Sequence, residues 1–185
     1  MNVEDLEKDK AVSPTMPVEA VVSFYEQMAG DGITIWLDGG WGVDALLGEQ
    51  TRPHGDLDIA IQGKDIDKMR QLLEADGFSD VPRDDTRDWN FVLGNKDGRE
   101  IDVHVINIDE NGDGIYGPPE NGEKYPASAL TGHGILNGVP VKCVSAEDAV
   151  KFHTGYAVDA DDYHDVKALC ERFDIPLPQE YEKFE

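Results

Sequence analysis

The sequence predicts an α+β fold: a mixed β-sheet flanked by helices, followed by a small helical part at the C-terminal end. Three observations carry that reading. Short β-branched and aromatic runs alternate with helix-periodic segments up to about residue 108, and helical spacing dominates after residue 144. The chain has 185 residues, of which 39% are hydrophobic, enough for one core in a domain of the usual size of about 100–200 residues.

The elements follow in order. Residues 1–15 are polar and charged, and a frayed start is expected there. From Pro17, which suits a first helical turn, Val18, Val21, Val22, Tyr25 and Met28 fall at helical spacing until Gly30 and Gly32 stop the helix. Residues 33–37 read as a buried strand that ends at Asp38-Gly39-Gly40, and residues 41–47 as a short helix closed by Gly48. Residues 57–61 form a second strand. Residues 65–75 form an amphipathic helix with Ile66, Met69, Leu72 and Leu73 on one face. Residues 89–93 and 100–108 are two more strands, joined through the Asn95-Lys96-Asp97-Gly98 turn. The Gly-, Pro- and acid-rich stretch 109–126 reads as a long loop, and 134–144 as a hairpin through Asn137-Gly138. Ser145, with Asp148 three residues on, caps a helix expected to reach about residue 156, and a last helix covers 161–173.

Charge narrows the function classes. The 39 acids outnumber the 16 bases, for a formal charge of −23. A nucleic-acid partner needs a cationic footprint, and an anionic membrane surface repels such a chain, so neither is expected. There is no run of about 20 apolar residues and no apolar signal segment at the start, so a cytoplasmic protein is the expectation. Most of the charge must form a solvated acidic coat, as a protein kept soluble in high salt would carry, and a halophile source is a hypothesis. Cys143 and Cys170 are far apart and read as packing residues.

The chemistry concentrates between Gly39 and Asp58, with Asp102 further on. Asp56 and Asp58 are two apart at a strand start, so both carboxylates project from one face and repel unless a cation lies between them. Hard oxygen ligands at this spacing suit Mg²⁺, which also shares substrate phosphates. Asp102 on another strand offers a third carboxylate, with His104 on its face. Gly39-Gly40 follows a strand and opens a helix, where backbone N–H groups can approach a phosphate. Thr51 and Arg52 offer a hydroxyl and a forked cation to triphosphate oxygens. Alone, an Asp-x-Asp is usually a solvated strand end and a Gly-Gly a tight turn; in this order they make up a nucleotidyl-transfer site.

The stretch from Gly39-Gly40-Trp41-Gly42 to Gly48, then Thr51-Arg52-Pro53-His54 and Asp56-Leu57-Asp58, closely resembles the lincosamide and aminoglycoside 2''-nucleotidyltransferases, within the DNA polymerase β-like nucleotidyltransferase superfamily. The likeness continues through Glu100-Ile101-Asp102-Val103-His104, Asn137 to Cys143, Lys151 to Tyr156 and His164 to Lys167, and covers residues 18–175. It implies the nucleotidyltransferase fold, with a catalytic core at 16–126 and a C-terminal hairpin and helices at 127–185 completing the acceptor and nucleotide cleft. It implies transfer of AMP from ATP to a hydroxyl of a small-molecule acceptor, with pyrophosphate release. By resemblance Asp56, Asp58 and Asp102 hold two Mg²⁺ ions, and Asp102 takes the hydroxyl proton directly or through the metal. Gly39, Gly40, Trp41, Thr51, Arg52 and Lys151 are the nucleotide-binding candidates, and His104, Tyr116 and Tyr156 the acceptor candidates. A homodimer that completes the site is a further partner to test.

Two departures bear on the acceptor. The wider superfamily has Ser where this chain has Trp41, which removes a hydroxyl contact to phosphate, although the nearer relatives share Trp. His104 stands where aminoglycoside 2''-enzymes usually carry an acid, so a lincosamide is favoured over an aminoglycoside or an unknown metabolite; the same His reads equally as a satisfied sheet residue. Lys151 reads as a phosphate ligand or a solvated lysine, and Asp44 as a cap or brace of the short helix. Asp109, Asn111, Asp113, Gly114 and Glu120 fit a calcium-loop pattern, but a strand precedes it and Pro118-Pro119 blocks the exit helix. A loop shaping the acceptor pocket, with Tyr116 and Tyr125 to pack on a ligand, is the favoured reading. A catalytically idle nucleotide-binding relative is the competing class, and the three acids argue against it.

Overall fold

The computed structural model describes residues 15–185; of the frayed start expected at residues 1–15, all but the last residue lies outside the described residues. Helix α1 (Val18–Gly30) leads into β1 (Ile35–Asp38), α2 (Gly39–Leu47), β2 (Asp56–Gln62) and α3 (Ile66–Ala75). Strands β3 (Ser79–Asp80), β4 (Asn90–Gly94), β5 (Glu100–Ile108), β6 (Gly114–Tyr116) and β7 (Lys124–Tyr125) follow, then the hairpin β8 (Gly132–Leu136) and β9 (Val139–Cys143), and helices α4 (Ala146–Phe152) and α5 (Ala160–Phe173). The strands form one mixed sheet in the order β3-β4-β5-β2-β1-β9-β8, with β6 and β7 attached to the far end of β5. The β2–β5 and β1–β9 pairs are parallel and the others antiparallel. The hairpin after residue 126 therefore joins the same sheet as the strands before it.

Side-chain alternation assigns the two faces. Ile35 and Leu37 of β1, Leu57, Ile59 and Ile61 of β2, and Ile101 and Val103 of β5 pack against Val21, Phe24 and Met28 of α1 and Met69 and Leu73 of α3. The residues between them face the other side, where Trp36, Ala60 and Ile106 lie under Ala149 and Val150 of α4 and Val166 and Leu169 of α5. Asp38, Asp56, Asp58 and Asp102 belong to this second set by parity. The apolar half of that face is roofed by α4 and α5, and the acids lie at its other end, along the clefts beside it.

Differences from the sequence reading have local causes. The stretch 109–126 contains the β6–β7 hairpin rather than an open loop. Its entry is fixed by the Asp109 carboxylate, which accepts from the backbone N–H groups of Asn111 and Asp113 at 2.9 and 3.0 Å. Asp113 in turn accepts from Lys124 Nζ at 2.6 Å and from Ala127 N at 2.8 Å. The Asp109 and Asp113 carboxylates of the calcium-like pattern are thus engaged by their own chain, and no metal-ligand cluster forms there among the described residues. Helix α4 stops at Phe152, four residues short of expectation, because the Thr154 hydroxyl and His153 Nδ1 bond back to the carbonyls of Lys151 and Ala149 and Gly155 turns with φ +84°. Strand β3 and the 3-10 turns Gly63–Asp65, Ala127–Thr131 and Gln179–Phe184 carry too few residues for a periodic signal.

Candidate active site

Strand pairing sets the acids in a row. Asp38 stands opposite Asp58 across the β1–β2 pair, and Asp58 opposite Asp102 across the β2–β5 pair. Asp56 follows two residues before Asp58 on the same face. Like charges directly opposite destabilise a sheet, and here three adjacent strands carry them in register. Burial, then Asp56, Asp38 and Asp102, hold the Asp58 carboxyl well above the ordinary carboxylate range. Asp56 is raised by burial and Glu100, and Asp102 by burial with Asp56 and Asp85 adding to it. Asp102 Oδ1 is buried with no hydrogen-bond partner. An orphaned carboxylate oxygen among like charges is a donor set that fits a divalent cation.

Asp38 also closes the start of α2, since its Oδ1 accepts from Gly39 N–H at 2.9 Å. Gly39 has φ +55°, and a Cβ there would overlap the Asp58 carboxylate, with Asp58 Cγ at 2.9 Å. A Cβ on Gly40 would run into His54 and the Arg52 guanidinium. The Gly-Gly pair is thus required by packing against the acids and against the motif that follows. Gly39→Ala is expected to displace Asp58 and lower turnover about 10²-fold, the usual effect of a 1 Å misplacement. Pyrophosphate release under saturating nucleotide would measure this; near-normal turnover would disprove the close-approach argument.

Behind the Gly-Gly pair a buried brace fixes the loop between α2 and β2. Asp44, fully buried, accepts from Thr51 Oγ1 at 2.7 Å and pairs with His54 Nε2. The Trp41 indole packs against His54 at a tilt of 51° with centroids 4.6 Å apart and is 1% exposed. The nucleotide-binding candidates of the sequence have partners within the chain. The Trp41 side chain is core, leaving only its backbone N–H, in the first turn of α2, for a phosphate. Thr51 spends its hydroxyl hydrogen on Asp44 and meets His164 Nε2 at 3.0 Å. Arg52 is likewise engaged: Nε and Nη2 reach Asp165 at 2.9 and 2.7 Å, and Nη1 lies 3.7 Å from Asp161. Its charge still lowers the pKa of Asp56 and Asp58.

On one side of the acids a cleft of about 480 Å³ runs between Asp38, Asp58 and His104 and the aromatic side chains of Tyr116, Tyr125, Phe152 and Tyr156. On the other side a polar cleft of about 220 Å³ is bounded by Asp56, Asp102, Asp85, Asn90 and the Arg83–Glu100 ion pair. Tyr116 and Tyr156 thus stand where the sequence reading wants acceptor residues, and His104 sits on the cleft floor. Lys151, read as a phosphate ligand or a solvated lysine, is exposed on α4, 4.0 Å from Asp148, and lines neither cleft. Sequence reasoning missed Asp38 as a member of the site. Its signal is its parity with Trp36 and its position just before Gly39-Gly40. Tyr125 lines the acceptor-side cleft with its ring, while its buried hydroxyl donates to Asp38 Oδ2 at 2.7 Å.

The geometry agrees with known proteins. The family model of aminoglycoside-2''-adenylyltransferases matches residues 20–169. This chain belongs to that family. A lincosamide resistance protein from Staphylococcus haemolyticus is 31% identical over 150 residues, covering 80% of this chain and 89% of that protein. A 2''-aminoglycoside nucleotidyltransferase from Escherichia coli is 36% identical over 127 residues, 68% of this chain and 66% of the relative. Among solved structures, the lincomycin-bound lincosamide antibiotic adenylyltransferase LnuA superposes with a TM-score of 0.73 at 28% identity, covering 84% of this chain and 97% of that one. The structure of ANT(2'')-Ia in complex with adenylyl-2''-tobramycin shares the fold, with a TM-score of 0.66 at 19% identity and coverage of 90% and 97%. As a family member the chain is a nucleotidyltransferase with the α+β fold the sequence predicts.

Proposed function

We propose that this nucleotidyltransferase moves AMP from ATP onto a hydroxyl of a lincosamide-like acceptor, with Mg²⁺ at the acid row and pyrophosphate as the other product. The observation that carries the reading is the in-register row Asp38-Asp58-Asp102 with Asp56 beside it, ending on the unpartnered Asp102 Oδ1. Asp56, Asp58 and Asp102 would hold the ions. Bound there, Mg²⁺ supplies charge neutralisation on the triphosphate and a lowered pKa at the attacking hydroxyl. Asp102 would take the hydroxyl proton directly or through the metal it helps to hold. The first-turn backbone N–H groups of Gly40 and Trp41 are placed for phosphate oxygens. Arg52 adds positive charge while holding α5 through Asp165.

Two features favour a lincosamide over an aminoglycoside. The acceptor-side cleft is walled by Tyr116, Tyr125, Phe152 and Tyr156, which suits a partly apolar molecule better than a polycation. His104 occupies the floor where a carboxylate would grip an ammonium group. The test is a screen of each nucleoside triphosphate with Mg²⁺ against lincosamides, aminoglycosides and simple polyols, followed by pyrophosphate release. Release with ATP and a lincosamide is the expected result. Turnover with aminoglycosides alone would reverse the acceptor, and no release with any acceptor would overturn the reading.

The charge of −23 far exceeds what the site accounts for, and we propose a salt-adapted protein of the cytoplasm. The thermal midpoint of unfolding is expected to rise steadily from 0.1 M to about 2 M KCl as screening suppresses self-repulsion. A flat or falling midpoint would count against salt adaptation.

A further inference from the structure

A hydrogen-bonded chain runs beneath the acid row. Tyr125 Oη lies 2.7 Å from Asp38 Oδ2 and 2.7 Å from His104 Nδ1. A tyrosine hydroxyl has one hydrogen and an ionised carboxylate only accepts, so that hydrogen goes to Asp38. The bond to His104 must then run the other way, with Nδ1–H donating to the Tyr125 oxygen. In the neutral imidazole this sets the tautomer and turns the Nε2 lone pair outward. Nε2 faces Asp102 Oδ1 at 3.7 Å, and Oδ1 is itself buried without a partner. One ligand atom each from Asp58, Asp102 and His104 lie within 4.8 Å of one another. Two atoms sharing an ion at about 2.1 Å are separated by about 3.0 Å when adjacent and about 4.2 Å when opposite, and 3.7 Å falls between. A lone pair and a carboxylate oxygen aimed at each other are unfavourable until a proton or a metal ion sits between them.

We propose that His104 is a nitrogen ligand of the divalent-cation site and that Tyr125 is its positioning residue. The inference rests on the metal-dependent reading above and sharpens it. The carboxylate set of Asp56, Asp58 and Asp102 gains a nitrogen ligand on the Asp58–Asp102 side, with Asp38 and Tyr125 holding the imidazole from behind, as outer hydrogen-bond partners commonly do for metal-bound histidines. An imidazole ligand tilts selectivity away from Mg²⁺ towards transition-metal ions.

Manganese tests this without any turnover. Mn²⁺ bound to the full chain, in the absence of nucleotide, is expected to show ¹⁴N coupling from a directly bound imidazole in pulsed electron paramagnetic resonance. His104→Gln removes the coupling. Tyr125→Phe keeps the ring that packs on Phe152 with centroids 5.1 Å apart and weakens Mn²⁺ binding about tenfold or more. Mn²⁺ bound by wild-type protein with no ¹⁴N coupling overturns the role of His104 and leaves the carboxylate site standing. Unchanged Mn²⁺ affinity in Tyr125→Phe overturns the positioning role. No Mn²⁺ binding at all overturns this inference together with the metal-dependent reading.

Discussion

Asp58→Asn is expected to lower nucleotidyl transfer about 10³-fold or more while making the metal-free protein more stable. The two effects have one cause. Asp58 stands between Asp38 and Asp102 in the strand register and close to Asp56, so it is both the central carboxylate for a cation and the centre of repulsion without one. The sign of the pH dependence follows. Burial and its acidic neighbours raise the folded-state pKa of Asp58 above the unfolded value of about 3.9. Between those two values the folded chain holds a proton that the unfolded chain releases. Stability of the metal-free protein therefore falls as pH rises through that window and stays low above it. Asn at 58 removes that contribution. Thermal melts of metal-free wild-type and variant protein from pH 4 to 8 would test it: the variant should melt higher at pH 7, with a smaller pH slope. Full activity in the variant would overturn the metal-dependent reading, and a lower melting point would overturn the repulsion argument.

Arg52→Met is expected to lower stability by about 3 kcal/mol, the usual range when one partner of a buried pair is removed. The side chain of Asp165 is 1% exposed and Arg52 holds it through two bonds, at 2.9 and 2.7 Å. Among the described residues, Arg52 is the only hydrogen-bond partner of the Asp165 carboxylate, so its loss leaves an uncompensated charge between the β2 loop and α5. The double variant Arg52→Met/Asp165→Leu should regain most of the loss, because it removes both charges and adds apolar contact. Urea unfolding of the two single variants and the double variant measures the coupling. Additive losses would show that the pair does not act as a unit. A separate readout is the KM for ATP in Asp165→Asn, which keeps the guanidinium. An unchanged KM with lowered stability would assign Arg52 to anchoring α5, and a raised KM would restore it to the nucleotide.

The site was legible in the sequence where chemistry depends on local spacing. Asp56 and Asp58 share a face because side chains alternate along a strand, and that holds wherever the strand lies. Gly39 and Gly40 were recognisable as a close-approach turn between a strand and a helix. What they approach is a different matter: Asp58 for Gly39, and His54 with Arg52 for Gly40. Thr51, Arg52 and Trp41 show the limit of motif reading. Their residue types suit a nucleotide, but Asp44, Asp165 and His54 claim their side chains. Those claims come from residues as far as 113 positions away, and no local pattern encodes them.

By itself the sequence determined the α+β class, most of the elements and the acids Asp56, Asp58 and Asp102, because periodicity and charge repulsion act over a few residues. Only the tertiary structure decided that Asp38 completes the row, through the antiparallel register of β1 on β2. It alone brought Tyr125 from the β6–β7 hairpin under His104 and Asp38, and it placed α4 and α5 over the apolar end of the sheet face, with clefts beside the acidic end. The physical reason is that strand register and helix docking are settled by the packing of the whole core. A side chain's partner across the sheet is therefore a property of the closed chain rather than of its own neighbourhood.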